Sequence, residues 1–420
     1  MVSMLLQQTP MKPFSIFTVP LAIVAATLSQ ASVIHVPGDQ PTIQAGINSA
    51  ATGDTVRVDP GTYFENINFN GKAITVSSAD GPAETIIDGG NFAPVAQFLT
   101  GETPSSVLKG FTLQHGTSTY SDGGGVFIWH CSPTIAENII QENTACDGGG
   151  GIAIQFGSPL IENNRILNNS QAVCIGGIGG GGISVGGAGT ARIIGNVIAG
   201  NTWASADGGG ISLFASGAVT VRCNVIRGNS AAQGGGIWIV NDSPALIVQN
   251  LIYENSADQG AGIYFLVLGS SHGPTLVNNT IVNNTVTQQG SAIYASGYDN
   301  SVQVFNNLMI GERGKDAVFC DDTWSSQSPT VANSDAFSPD GTGLNGTCAG
   351  QATQNGNISA DPKFVNNFSN FRLKAYSPAV DAGTNSAPLL PRKDLSGQPR
   401  IIDGNDDGTP TIDMGAYEDQ

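Results

Sequence analysis

Charge is scarce in this chain, and positive charge is scarcest. Only 12% of the 420 residues are Asp, Glu, Lys or Arg, and 16 Lys and Arg stand against 33 Asp and Glu, so the net charge is −17. So few basic side chains cannot neutralise a run of phosphates, which argues against nucleic-acid binding. The same shortage argues against a surface that captures anionic polymers by bulk charge.

Helical periodicity and long apolar runs are also lacking. No window after residue 31 keeps a helical period, and none is long and apolar enough to cross a membrane. Glycine is abundant, with 56 residues, yet 40% of the chain is hydrophobic. This composition indicates many turns around a core, and it disfavours a helix-rich enzyme, a coiled coil or a polytopic membrane protein.

The N-terminal residues have the pattern of an export signal. Lys12 precedes an apolar run over 14–28, and Ser29-Gln30-Ala31 provides a small-x-small cleavage site. We therefore predict a signal peptide over 1–31 and a secreted mature protein, with an uncleaved N-terminal anchor as the alternative.

Cysteine usage fits an oxidising compartment. The chain has six cysteines and no C-x-x-C pair, which disfavours a zinc ribbon or a redox motif. Cys320 and Cys348 flank a stretch rich in Ser, Gly and Thr. We predict a disulfide between these two, although spacing alone cannot choose among the possible pairings.

An internal repeat indicates the fold. A pair of asparagines spaced Asn-x-x-x-x-Asn recurs six times, and the first asparagine advances by 26 to 32 residues. The pairs are Asn138/Asn143, Asn164/Asn169, Asn196/Asn201, Asn224/Asn229, Asn250/Asn255 and Asn279/Asn284. Glycine runs between them precede short apolar–x–apolar segments typical of strands with one buried face. The repeat predicts an all-β solenoid with three strands and three turns per coil, in which the asparagines stack in hydrogen-bonded ladders.

The two ends differ from the repeats. Thr42–Ala51 is helix-like, with Ile43 and Ile47 on one face, and we expect it to cap the first coil before a first strand at Thr55–Val58. The predicted organisation is a solenoid over 32–314, with its cap at 32–54 and clear coils at 122–314, followed by a C-terminal segment over 315–420.

Motifs at both ends resemble known groups. The opening motifs resemble secreted bacterial right-handed parallel β-helix proteins of the pectin-lyase-like superfamily; they are Val36-Pro37, Pro41-Thr42-Ile43-Gln44, Gly53-Asp54-Thr55-Val56 and Pro60-Gly61-Thr62-Tyr63. The closing motifs resemble choice-of-anchor Q proteins; they are Asp361-Pro362, Ser377-Pro378-Ala379-Val380-Asp381-Ala382-Gly383, Pro399-Arg400 and Gly415-Ala416-Tyr417-Glu418. The resemblance implies a right-handed parallel β-helix but leaves function open, because that superfamily includes lyases, hydrolases, epimerases and non-enzymatic surface proteins.

Acidic residues precede three of the glycine runs. Asp122, Asp147 and Asp207 are assigned to one repeat position, where later coils have Gln, so we expect them to line one edge of the solenoid. The pattern favours turn chemistry, since these side chains bond nearby backbone amides. The alternative is a functional row that binds calcium or sugar hydroxyls.

The same alignment predicts an aromatic stripe. Trp238, Tyr264 and Tyr294 are the outward middle residues of three consecutive strands, stacked about 4.8 Å apart. An exposed row would suit sugar rings or a protein partner. The alternative is that residues 315–420 cover it.

A calcium loop is predicted near the C terminus. Asp403, Asn405, Asp407 and Gly408 fit the first half of a D-x-[DN]-x-[DN]-G loop, and Asp413 stands in for the usual later glutamate. Such an ion would be structural. The alternative is a plain acidic turn.

No complete acid–base constellation is evident. We therefore expect a monomeric secreted protein that binds carbohydrate or a surface partner along its solenoid face, without an organic cofactor. The alternative is a polysaccharide-degrading enzyme, a lyase rather than a glycoside hydrolase, because no paired carboxylates in hydrolase order are found.

Overall fold

The chain winds into a parallel β-helix. The computed structural model describes residues 30–118, 122–171, 179–268, 271–297, 301–324 and 327–419, so the predicted signal peptide lies almost wholly outside the described residues. The strands of the coils form four lengthwise sheets, which we number I to IV in the order in which a central coil visits them. Strands of adjacent coils pair in parallel, as Val126–Trp129 does with Ile152–Gln155. The all-β solenoid prediction is confirmed.

The strands of each sheet follow one another along the chain. Sheet I contains Val33–Val36, Thr55–Val58, Thr75–Ser78, Val107–Lys109, Thr134–Ala136, Leu160–Glu162, Arg192–Ile194, Thr220–Arg222, Leu246–Val248, Thr275–Val277, Gln303–Phe305 and Thr330–Ala332. Sheet II contains Gly61–Phe64, Thr85–Asp88, Thr112–Gln114, Ile139–Gln141, Arg165–Leu167, Val197–Ala199, Val225–Arg227, Leu251–Tyr253, Thr280–Val282, Leu308–Ile310 and Asp335–Phe337.

Sheet III contains Thr117–Ser118, Thr144–Ala145, Ser170–Gln171, Thr202–Asp207, Ser230–Gln233, Ser256–Gln259 and Thr285–Gln289. Sheet IV contains Ile67–Asn68, Ala96–Phe98, Val126–Trp129, Ile152–Gln155, Ile183–Gly186, Ile211–Phe214, Ile237–Val240, Ile263–Leu266, Ile293–Ser296, Val318–Asp321 and Leu344–Gly346. A separate antiparallel hairpin pairs Phe364–Asn366 with Asn370–Leu373.

The prediction of three strands per coil is wrong for the central coils, which have four. The unpredicted strand belongs to sheet III and follows the second asparagine of each repeat, as Thr144–Ala145 follows Asn143. Small polar and Ala residues occupy most of these positions, so this strand lacks the apolar–x–apolar pattern of the other three.

Two asparagine ladders run through the buried turns, as predicted. Asn229 is typical: its Nδ2 donates to Asn255 Oδ1 at 3.0 Å and to the Ile198 carbonyl at 3.0 Å, while its Oδ1 accepts from Asn201 Nδ2 at 3.0 Å. Neighbouring isoleucines such as Ile198 and Ile226 are fully buried in the core. Each ladder therefore satisfies buried backbone groups at a corner where no strand can pair.

A helix caps the N-terminal coil, as predicted, but it is shorter than expected. Helix α1 spans Ile43–Ser49, with Thr42 Oγ1 accepting from Ala45 N, and it buries Ile43 and Ile47. The first strand of sheet I is Val33–Val36, which precedes the helix and pairs with Thr55–Val58. The expected first strand is therefore the second.

The coils continue past residue 314, where the solenoid was expected to end. Val318–Asp321 and Leu344–Gly346 extend sheet IV beyond that boundary. The predicted disulfide between Cys320 and Cys348 is confirmed, with Cα atoms 5.7 Å apart, and it ties these two coils together. Cys131 and Cys223 are free thiols.

The chain beyond residue 360 packs on the outside of the solenoid. Phe364 and Phe371 of the hairpin contact an apolar cluster that includes Leu251 and Val282 of sheet II. We call the final part, 394–419, the C-terminal strap. It is fastened to the coils where Gly415 N donates to the Asn306 carbonyl at 2.7 Å and Ala416 N donates to Thr280 Oγ1 at 2.9 Å.

A buried charged cluster organises the strap. The guanidinium of Arg400 lies 3.4 Å from Glu418 Oε2 and donates to the Gly415 carbonyl at 2.7 Å, and both side chains are almost fully buried. Asp394 Oδ2 accepts from Glu418 N at 3.2 Å. The closing motifs noted in the sequence thus hold the strap together. No helix formed by the described residues is long and apolar enough to cross a membrane.

Candidate functional site

The acidic residues do not form the predicted row. Asp122 and Asp207 each stand four residues before a sheet IV strand, but Asp147 stands five before Ile152, because Gly148–Gly151 holds one glycine more than the runs that follow Asp122 and Asp207. Gly148 and Gly179 bridge each other at the positions between Asp122 and Asp207. The assignment of Asp147 to one position with the other two is wrong. Three coil steps separate Asp122 from Asp207, roughly 14 Å.

Asp122 is nevertheless in an unusual environment. Its Oδ2 accepts from Gln155 Nε2 at 2.9 Å. A Cβ atom at Gly148 would lie 3.2 Å from Asp122 Oδ1, so the glycine leaves room for the carboxylate. Burial, helped by the charge of Asp147, raises the pKa of Asp122 to about 6. Burial likewise raises the pKa of Asp207 to about 6.

The aromatic stripe is stacked as predicted, but it is not exposed. Trp238 pairs with Tyr264 and Tyr264 with Tyr294, whose rings lie 5.3 Å apart and nearly parallel. The three side chains are only 6–7% exposed. The prediction of exposure is wrong because Tyr264 and Tyr294 cover each other's faces, and apolar neighbours in the same cluster, including Phe319, pack against the stripe. Burial also raises the pKa of Tyr264.

The alternative prediction, that residues 315–420 cover the aromatic stripe, is correct only in part. Phe319, which lies within 315–420, extends the stack by one coil. The chain beyond residue 360 instead packs on sheets I and II.

An exposed aromatic cluster lies nearer the N terminus, and sequence reasoning missed it. Trp129 ends one sheet IV strand and is 41% exposed, while Phe156 follows the next and is 49% exposed. Their rings pack edge to face with centroids 5.6 Å apart, and the His130 ring stacks on Phe156 at 4.9 Å. We call Trp129, His130 and Phe156 the aromatic platform.

The platform adjoins the Asp122 carboxylate. Gln155, which holds Asp122, pairs with Trp129 in the sheet and immediately precedes Phe156. The signal was available in the sequence, because alternation makes the fourth residue of each sheet IV strand point outward like the second. Analysis of the second position alone found Trp238 and overlooked Trp129.

A cleft of about 640 Å³ separates the late coils from the hairpin. We call it the C-terminal cleft. Its lining includes Asn283, Glu312, Arg313, Asp361, Phe364 and Phe368. No sequence pattern signals the cleft, because its lining is drawn from separate segments between residues 282 and 368.

The predicted calcium loop is only partly assembled. Asp403, Asn405 and Asp407 share one turn, in which Asp407 N donates to Asp403 Oδ1 at 3.1 Å and to Asn405 Oδ1 at 2.9 Å. Asp413 is buried, and its Oδ1 accepts from Asp381 N at 2.7 Å; its role as a ligand stays a prediction. Across the described residues, no group of three or more His, Cys, Asp or Glu side chains is placed to hold a metal. Calcium binding by the turn itself stays a prediction.

Comparison with known families and structures identifies the architecture. The family described as "Right handed beta helix region" matches residues 56–250 and 173–336, together 56–336. The predicted right-handed parallel β-helix is thereby confirmed. Comparison with curated proteins gives no match.

Solved structures with a similar fold include enzymes that act on polysaccharides. The crystal structure of pectate lyase Pel9A aligns with a TM-score of 0.56 and 16% identity over 94% of this chain and 98% of that one. XylC, solved in complex with xylose, aligns with a TM-score of 0.46 and 13% identity over 77% of this chain and 84% of that one. The alginate lyase AlyGC aligns with a TM-score of 0.43 and 13% identity over 93% of this chain and 59% of that one. At such identities the likeness concerns the fold.

Proposed function

We propose that this chain, which belongs to the right-handed β-helix family, is an exported protein that binds polysaccharide on the outer face of sheet IV without cleaving it. The disulfide between Cys320 and Cys348 supports export, because such bonds persist in oxidising compartments. The proposed ligand is a neutral polysaccharide, since a net charge of −17 disfavours polyanions.

The aromatic platform is the observation that carries this proposal. Exposed aromatic rings offer an apolar surface to the faces of sugar rings, and Trp129 and Phe156 present two such rings at an angle. Beside them, the Asp122 carboxylate and the Gln155 amide provide acceptors and donors for sugar hydroxyls. The buried stripe at Trp238, Tyr264 and Tyr294 cannot make such contacts and belongs to the structure of the face.

A polysaccharide lyase is the second candidate. Asp122 favours it, because a carboxyl group whose pKa is raised to about 6 is suited to accept a proton near neutral pH. A lyase would also have to neutralise the charge of a uronate.

Replacing Trp129 by alanine should weaken polysaccharide binding about tenfold, because one stacking ring is lost. The measurement is affinity electrophoresis through gels containing β-glucan, xylan or galactan, in which binding retards migration. Trp324→Ala is the matched control, since Trp324 is 63% exposed but lies seven sheet IV strands away, about 34 Å. Equal retardation of the two variants would contradict the proposed role of the platform.

A further inference from the structure

We propose that the C-terminal cleft is a second saccharide site, which takes a neutral sugar unit independently of the aromatic platform. Its volume of about 640 Å³ falls within the range of roughly 300–1,000 Å³ that is usual for ligand sites. The proposal deepens the proposed function by adding a second site, and the experiment below separates the two.

The walls of the cleft are fixed by contacts between distant parts of the chain. One wall is formed by the turns that follow the sheet II strands Thr280–Val282 and Leu308–Ile310, and these turns contain Asn283 and Glu312. The other wall is the hairpin. Asn283 Nδ2 donates to the Asn367 carbonyl at 2.6 Å and so fastens the hairpin tip to the coil. The Phe371 ring packs at a tilt against the Tyr253 ring, with centroids 5.1 Å apart, and this contact holds the hairpin against the coils.

An exposed ring lies at the rim of the cleft. Phe368 occupies the tip of the hairpin and is 77% exposed. Asn366 Oδ1 accepts from Phe368 N at 2.9 Å and from Ser369 N at 3.2 Å, so the turn that presents the ring is closed by its own side chain. A preformed turn loses little conformational entropy when a ligand stacks on the ring.

A fixed carboxylate lies inside. Glu312 Oε2 accepts from Val286 N at 3.0 Å, and Glu312 N donates to Ser291 Oγ at 2.9 Å, which holds the half-buried side chain in place. A carboxylate oriented in this way accepts hydrogen bonds from hydroxyl groups. Amide groups of Asn283 and Asn367 are close by and add donors and acceptors.

The charges in and around the cleft favour a neutral sugar. Arg313 forms an exposed ion pair with Asp340, and Asp361 pairs with Lys363 at 2.8 Å. Because these charges are paired, the Glu312 carboxylate gives the cleft a net negative charge. This charge would repel a uronate but would still accept hydrogen bonds from the hydroxyl groups of a neutral sugar.

The test is isothermal titration of the full mature chain with cellohexaose, xylohexaose and mannohexaose, and with hexagalacturonate as the anionic probe. All variants carry Trp129→Ala, which removes the platform. We expect at least one neutral hexaose to bind this background, and Phe368→Ala to weaken that binding about tenfold. Phe92→Ala, which removes a ring that is 88% exposed elsewhere, should leave binding unchanged.

Four other results contradict the proposal, and a fifth contradicts the platform instead. Loss of all binding in the Trp129→Ala background would overturn the second site and leave the platform intact. Equal effects of Phe368→Ala and Phe92→Ala, or tighter binding of hexagalacturonate than of the neutral probes, would also overturn it. A dimer in sedimentation velocity that Phe368→Ala dissociates would instead make the cleft an interface between two copies. Conversely, binding that depends on Phe368 but not on Trp129 would contradict the platform and support the cleft.

Discussion

Replacing Asn229 by alanine should lower the free energy of unfolding by about 2–5 kcal/mol, because at least two buried backbone groups lose their partners. Asn229 Oδ1 accepts from Asn201 N at 2.9 Å, and its Nδ2 donates to the Ile198 carbonyl at 3.0 Å. Neither group has access to water at this buried corner, so the loss is not compensated. Urea unfolding followed by far-ultraviolet circular dichroism measures the effect.

Asn168→Gly is the matched control for the ladder. Asn168 is exposed and has a left-handed backbone with φ of 53°, which glycine adopts without strain. We expect this variant to remain within about 0.5 kcal/mol of the wild type. If Asn229→Ala is equally mild, the ladder is not a source of stability.

At pH 9, replacing Arg400 by methionine should release the C-terminal strap and cost about 3–5 kcal/mol, because methionine keeps much of the volume but leaves the buried Glu418 carboxylate, which is ionised at that pH, without its cation. The damage should be local. Hydrogen exchange should rise over 394–419, where the strap is fastened to Asn306 and Thr280. The central coils should keep their protection.

The pH dependence of this defect follows from the direction of the pKa shift. Burial raises the pKa of Glu418 to about 8, well above the ordinary value of an unfolded glutamate. The folded strap therefore binds a proton more readily than the unfolded one, so its stability falls as the pH rises from about 4.5 through 8. The Arg400→Met defect should be larger at pH 9 than at pH 5.

Arg313→Met is the control for charge removal. Arg313 pairs with Asp340 at the surface, and both side chains are exposed. Exposed pairs contribute about 0–1 kcal/mol, so this variant should unfold almost like the wild type. A strap that stays protected in Arg400→Met would show that the buried cluster does not hold it.

The solenoid was predictable because the same buried and hydrogen-bonding residues recur at the same positions of successive repeats. One period fixes the position of the buried isoleucines and both asparagine ladders, and those positions recur through the central coils. The N-terminal helix was predictable from Ile43 and Ile47, which share a face, and the disulfide from a loop with little apolar content. The fourth strand escaped prediction because Thr144–Ala145 and its equivalents carry no hydrophobic alternation.

The site was less predictable, because it depends on details within one coil. One additional glycine in Gly148–Gly151 moves Asp147 off the position that Asp122 and Asp207 share. The burial of Tyr264 depends on stacking between coils, which alternation alone does not report.

The C-terminal cleft depends on long-range docking. The hydrogen bond from Asn283 to Asn367 joins residues 84 positions apart, and no repeat signals it.

The central claim is binding without cleavage, and one incubation tests it most directly. The purified mature chain is mixed with neutral and acidic polysaccharides, with and without calcium, and the mixture is followed for unsaturated-uronide absorbance, new reducing ends and retention on gels. We predict retention on a neutral polymer with neither product. Unsaturated uronide would identify a lyase, reducing ends alone would identify a hydrolase, and either result would contradict the claim.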